Sequence, residues 1–86
     1  MNKLTTRAMI VDRYGLRLSM DQVAEILNIS AASVYNMLSQ GEFPIRTYKE
    51  GARRFASYEA VADYLDAKDE EAIVEAKKNR STRAPV

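Results

Sequence analysis

Arg46, Lys49, Arg53 and Arg54 crowd into one short segment of this 86-residue chain, with Glu50 the only acid among them. Guanidinium and ammonium groups at that density can neutralise phosphates, and each phosphate neutralised steepens the salt dependence of binding. The same charges would also keep the edge of a solvated hairpin from aggregating. A second group has different chemistry: Ser30, Ala31, Ser33, Tyr35, Asn36 and Gln40 are uncharged, and most carry hydrogen-bonding groups. Asn and Gln can bond adenine through two hydrogen bonds, Ser can bond a base or a phosphate, and Ala fits against a thymine methyl. Asn36 and Gln40 lie four apart on one helical face with Ser33 beside them, whereas Tyr35 can stack, bond a phosphate or wall a neighbouring hairpin.

Other chemistries are excluded by inventory. The chain contains no Cys and no His, so disulfides, thiolate nucleophiles, Cys/His zinc sites and histidine acid–base catalysis are unavailable. The acidic run Asp66, Asp69, Glu70 and Glu71 lacks the burial that separates the pKa values of a catalytic pair. It also lacks the glycine turn of a calcium loop, and reads as a solvated helix face. No enzyme, metal site or cofactor is expected.

Net charge of +1 conceals segregation. Lys3, Arg7, Arg13 and Arg17 against Asp12 leave residues 1–17 at +3, whereas residues 18–45 carry only Asp21, Glu25 and Glu42, or −3. Residues 46–56 return to +3, residues 57–75 fall to −6, and residues 76–86, with Lys77, Lys78, Arg80 and Arg83, rise to +4. Such patches, rather than the sum, decide which surface meets a polyanion. Lys3, Arg7 and Arg13 either flank that polyanion or form an ordinary amphipathic surface, and the basic C-terminal residues can add nonspecific phosphate binding.

These side chains need elements to position them. Ser19 with Gln22 three residues later reads as a capping box, opening a helix whose apolar face is Val23, Ala24, Ile26 and Leu27. Asn28-Ile29-Ser30 interrupts it, Ser30 caps a second helix, and Ala32, Val34, Met37 and Leu38 are expected to pack inward. Gly41 closes that helix and Pro44 prevents its continuation. Ahead of this pair, a helix is predicted from Thr6 to Tyr14, with Ala8, Val11, Ile10 and Tyr14 inward and Gly15 as its stop. Arg17-Leu18 is a short connection or a one-bridge strand. Behind the pair, Ile45–Tyr48 and Arg53–Ala56 alternate around a turn at Lys49–Ala52, which predicts a β-hairpin anchored by Ile45 and Phe55. Ser57 then caps a closing helix with Tyr58, Val61, Ala62 and Leu65 inward; it either frays after Asp66 or extends toward Lys78.

In this order the pieces resemble the winged helix-turn-helix proteins of the excisionase and MerR-like superfamily. The resemblance is carried by Val23-Ala24-Glu25-Ile26-Leu27, Asn28-Ile29-Ser30, Ser33-Val34-Tyr35, Gly41-Glu42-Phe43-Pro44, Gly51-Ala52-Arg53-Arg54-Phe55 and the Ser57-capped helix through Tyr64-Leu65. The N-terminal helix ending in Tyr14-Gly15 is more loosely similar to pyocin-activator-like regulators. The resemblance implies a recognition helix at Ala31–Gln40 for the major groove and a wing at Lys49–Arg54 along the backbone. Relatives carry Lys or Arg at several exposed positions of that helix; here they are uncharged, so the wing must supply most of the attraction.

The expected architecture is therefore mainly α with a small β-hairpin: one winged helix-turn-helix domain over residues 1–78 and a flexible basic tail over 79–86. The expected function is sequence-specific binding of double-stranded DNA, as a transcriptional regulator or a recombination directionality factor of phage or mobile-element type. Self-association and an integrase or transcription machinery are the implied partners. The alternative is a protein-interaction module on the same scaffold. No apolar run reaches the roughly 20 residues that span a bilayer, and the N-terminus lacks a signal-type core; the expected location is the cytoplasm, with the nucleoid.

Overall fold

Asn2 starts the first helix, because its side-chain oxygen accepts a hydrogen bond from the Leu4 N–H at 2.8 Å. Helix α1 thus spans Lys3–Tyr14, beginning three residues before the Thr6 start that the sequence pattern suggests. Its phase differs too. Thr6 and Ile10 are buried, Val11 and Tyr14 are half-buried, and Ala8 faces solvent. The computed structural model describes residues 2–82, and side chains through residue 78.

Arg17–Ser19 forms a strand, β1, that leads directly into α2, Met20–Leu27. The capping box is complete: the Gln22 N–H donates to Ser19 Oγ, and the Ser19 N–H donates to Gln22 Oε1. Asn28 ends α2 in the left-handed conformation (φ 57°), one of the few side chains that tolerate it. Ser30 then caps α3, Ala31–Ser39, through the Ser33 N–H. At its far end the Glu42 N–H reaches the Met37 carbonyl and the Gly41 N–H reaches that of Leu38. This is a Schellman closure, with Gly41 at φ 70°.

The hairpin lies further along the chain than its alternation suggests. Ile45 is buried in the core, which holds the segment after Pro44 against the helices, so β2 begins only at Tyr48 and runs to Glu50. Lys49 and Glu50 are therefore strand residues, and the turn is Gly51-Ala52, with Gly51 at positive φ as a two-residue hairpin requires. Strand β3, Arg53–Ser57, pairs antiparallel with β2 and, on its other edge, with β1, giving the order β1-β3-β2. The N-terminal connection is thus a full third strand.

Period-two alternation divides the sheet. Leu18 lies opposite Ala56 and points into the core, whereas Phe55 lies on the other face. Of the two expected anchors, only Ile45 enters the central cluster; Phe55 is buried beneath the Arg17 guanidinium, 4.0 Å from its ring, and beside Tyr48. Ile10, Met20, Val23, Ala24, Val34, Ala60, Val61 and Ala62 complete a core drawn from all four helices.

Helix α4 spans Tyr58–Thr82, and Ser57 Oγ accepts from the Ala60 N–H in its first turn. It extends past residue 78 into the expected tail, so residues 79–82 are helical. Residues 83–86, the remainder of that tail, lie outside the described residues. Thr6 Oγ1 donates to Asp66 at 2.8 Å and ties α1 to α4. No helix among the described residues is long and apolar enough to cross a membrane.

Candidate nucleic-acid interface

The capping geometry of α3 fixes which of its side chains turn outward. With Val34 fully buried and Met37 and Leu38 half-buried, the solvent face is formed by Ala32, Tyr35, Asn36, Ser39 and the terminal Gln40. Ala32, expected to pack inward, is exposed, because the Val34–Leu38 side of the helix already fills the space over the core. Ser39 shares that outward face and is the one polar side chain there outside the sequence-based set. A helix wheel anchored on Val34 alone would have found both.

Ser30 and Ser33 occupy the N-terminal edge. Ser30 Oγ accepts from the Ser33 N–H at 3.1 Å, and the two hydroxyl oxygens lie 2.9 Å apart. Ala31 is half-buried. Asn36 and Ser39 are coupled through backbone, the Ser39 hydroxyl donating to the Asn36 carbonyl at 2.9 Å.

Tyr35 is 52% exposed and does two things at once. It is on the outward face, and with Ser39 it lines an open groove whose opposite wall is Lys49, Arg53 and Arg54 of the hairpin. The recognition-type helix and the basic hairpin therefore flank one concave surface. Asp21, in the first turn of α2, also lines this groove and brings one carboxylate into it.

The cations divide into paired and unpaired sets. Arg17 pairs with Glu50, the only acid of the hairpin. Arg46 is drawn toward α4, where it pairs with Asp63 at 3.4 Å. Arg54, by contrast, donates to Thr47 Oγ1 at 2.8 Å. Among the described residues, Lys49, Arg53 and Arg54 form no ion pair. Lys49 sits directly across the ladder from Arg54, an arrangement that is destabilising for two like charges. The hairpin holds its positive charge together although folding alone disfavours it.

Helix α1 contributes less charge than its composition suggests. Arg7 pairs with Asp63 at 3.1 Å and with Glu59 at 3.6 Å, and Arg13 pairs with Glu25 at 3.0 Å. The acidic stretches of α2 and α4 are close enough to compensate these arginines, so neither is an uncompensated cation beside α3.

Asp63 is the hub of the α1–α4 contact. Its carboxyl is held below the ordinary carboxylate range, chiefly by the hydrogen bond from Arg7, with Arg46 adding to it. The folded state thus binds this proton more weakly than the unfolded chain. The resulting stabilisation is present above the ordinary carboxylate pKa of about 3.9 and is lost as pH falls through the lowered folded value. Asp63→Asn is expected to melt at a temperature that falls less steeply with acidification than the parent's, measured by circular dichroism between pH 7 and pH 2.5. An unchanged acid limb would show that Asp63 does not carry this linkage. No group of acidic side chains among the described residues converges as metal ligands would.

A capped helix pair joined through Asn28-Ile29-Ser30, a basic hairpin beside its second helix and a closing helix behind define a winged helix-turn-helix. Residues 17–69, from β1 into α4, match the helix-turn-helix domain family. The chain belongs to that family, one of excisionase-like small DNA-binding proteins, and DNA is its partner. No curated protein and no solved structure matches the chain.

Proposed function

We propose that this protein binds double-stranded DNA sequence-specifically, as a transcriptional regulator or recombination directionality factor of a phage or other mobile element, acting in the cytoplasm on the nucleoid. The single observation that carries this reading is the groove between α3 and the hairpin. One wall holds cations without carboxylate partners and the other an uncharged, hydrogen-bonding helix face. In this reading α3 enters the major groove. Asn36 and Gln40 test adenine edges, Ala31 and Ala32 meet thymine methyls, and Ser30, Ser33 and Tyr35 contact bases or the adjoining phosphate. Lys49 and Arg53, with Arg54 behind them, follow the phosphate backbone, while Arg46 acts mainly through Asp63.

One such unit reads a short site, so useful specificity calls for two or more copies on adjacent or palindromic sequences. An integrase or the transcription machinery would then act with them. Selection from a randomised duplex pool, followed by fluorescence anisotropy over a salt series, tests the reading. An enriched motif is expected, with log affinity falling against log salt at a slope of about −3 for three neutralised phosphates. Absence of any enriched duplex, with no salt-dependent binding, would favour the second reading. That reading is a protein-interaction module, for which the charge-poor face of α3 is the supporting observation.

A further inference from the structure

Glu50 and Arg53 lie opposite each other in the β2–β3 ladder, on either side of the Gly51-Ala52 turn. Residues opposite in an antiparallel pair share one face of the sheet with their Cβ atoms about 5 Å apart, and opposite charges placed so attract. Register therefore makes Glu50 the natural partner of Arg53. The structure does not use that pair. Glu50 is taken instead by Arg17, on the far edge strand, and Arg53 has no ion pair among the described residues.

Arg17 reaches Glu50 diagonally across the sheet. It stands opposite Ser57 on β3, and its guanidinium lies over Phe55, two residues along that strand, 4.0 Å from the ring centroid. Beyond Phe55 it meets the Glu50 carboxylate on β2. The side chain thus crosses the central strand and joins the two edge strands, while Tyr48 packs on the same ring with 6.1 Å between centroids. An exposed ion pair is weakened by the cost of ordering two long side chains. Arg17 is already ordered by its contact with the Phe55 ring, which attracts a cation, whereas Arg53 is exposed. Glu50 therefore gains more from Arg17 than from its own ladder neighbour.

Arg53 lines the groove that faces α3, so a carboxylate drawn onto it would cancel one positive charge of that wall. We infer that Arg17 is a positioning residue for DNA binding: it holds Glu50 away from Arg53 and so keeps the Arg53 guanidinium available to a backbone phosphate. Arg17 acts here through Glu50, without touching the duplex. The inference rests on the reading of the hairpin as a phosphate contact and deepens it, by naming the acid that would silence one of its cations and the residue that prevents this.

A charge cycle at positions 17 and 50 tests it, read as duplex affinity over a salt series. Arg17→Met keeps an apolar side chain over Phe55 but offers Glu50 no charge, so Glu50 turns to Arg53. One phosphate contact fewer lowers the log–log slope by about 0.9, which between 1 M and 0.1 M salt is roughly an eightfold loss of affinity. Glu50→Gln alone should keep the parent slope, and adding it to Arg17→Met should restore that slope. Arg17→Lys, which can still hold Glu50, should also keep it. Removing Glu50 would not rescue an Arg17 that is merely structural, nor one that itself neutralises a phosphate. A slope that stays low in the double variant, or one unchanged in Arg17→Met, therefore overturns the proposal.

The free protein supplies a second readout that needs no DNA. The Arg53 Nε–Hε resonance is expected to shift in Arg17→Met, as the Glu50 carboxylate arrives, and to return when Glu50→Gln is added. An Arg53 resonance that stays in place in Arg17→Met would overturn the proposal. The expected shift and return in a protein that binds no duplex would leave the hold of Arg17 on Glu50 standing and remove the DNA reading, whereas salt-dependent duplex binding without rescue would do the reverse.

Discussion

Replacing Lys49 and Arg53 together by Glu is expected to lower duplex affinity by about a hundredfold at 0.1 M salt and to flatten the salt dependence. Two phosphates no longer neutralised reduce the log–log slope by about 1.8, which between 1 M and 0.1 M salt amounts to roughly sixtyfold. Repulsion by the new carboxylates adds to that. Both side chains are exposed and without ion pairs among the described residues, so the thermal midpoint should barely move. Arg46→Glu serves as the internal contrast. Arg46 is already engaged by Asp63, so its reversal should disturb the α4 contact more than the salt slope. Anisotropy at several salt concentrations distinguishes these outcomes; an unchanged slope in the double variant would mean that the hairpin does not follow the backbone.

Leu18→Ala is expected to be the most damaging truncation for stability. Leu18 is fully buried, lies opposite Ala56 and fastens β1 to the helical core. Cutting a fully buried Leu to Ala typically costs about 2–5 kcal/mol. For a domain of this size that corresponds to a fall of about 10 °C or more in the thermal midpoint, and to a large share of a total stability of roughly 5–15 kcal/mol. Leu16→Ala, two residues earlier and 71% exposed, should change stability by less than about 0.5 kcal/mol. Melting curves for the pair test the claim directly. Similar midpoints would show that β1 does not hold the sheet against the helices. The functional consequence follows from connectivity: β1 pairs with β3, so loosening Leu18 also loosens the hairpin beside α3.

Local chemistry made much of this fold legible in the sequence. Ser19 with Gln22, Ser30, Ser57 and Gly41 each act within a few residues of themselves, and each caps or closes the helix end that the pattern assigns to it. What depends on distant partners was not legible. The pairing of Arg17–Ser19 with β3 joins segments far apart in sequence, and nothing local in a three-residue stretch distinguishes a strand from a connection. The burial of Thr6 depends on Asp66 across the α1–α4 contact, so helix phase at Ala8 was set by a partner the local pattern could not contain.

The site shows the same division. Periodicity identified α3 and alternation identified a basic hairpin, so the two walls of the groove were readable. Which cations remain available there was not: it depends on Glu50 reaching Arg17 and Asp63 reaching both Arg7 and Arg46. Composition counts those arginines as basic surface, but tertiary pairing leaves Lys49 and Arg53 as the hairpin's exposed cations. Ala32 and Ser39 are the exception, because a helix wheel centred on Val34, the middle of the buried face, already turns both outward.

The most direct test of the central claim, that α3 and the hairpin together form a DNA-binding surface, is amide chemical-shift mapping of the labelled protein titrated with a selected duplex. The account predicts the largest shifts at Ser33, Asn36, Ser39 and Gln40 on one wall and at Lys49, Arg53 and Arg54 on the other, with residues 70–78 little affected at concentrations where the protein is monomeric. Shifts confined to the C-terminal half of α4, or none on α3 at saturating duplex, would contradict it.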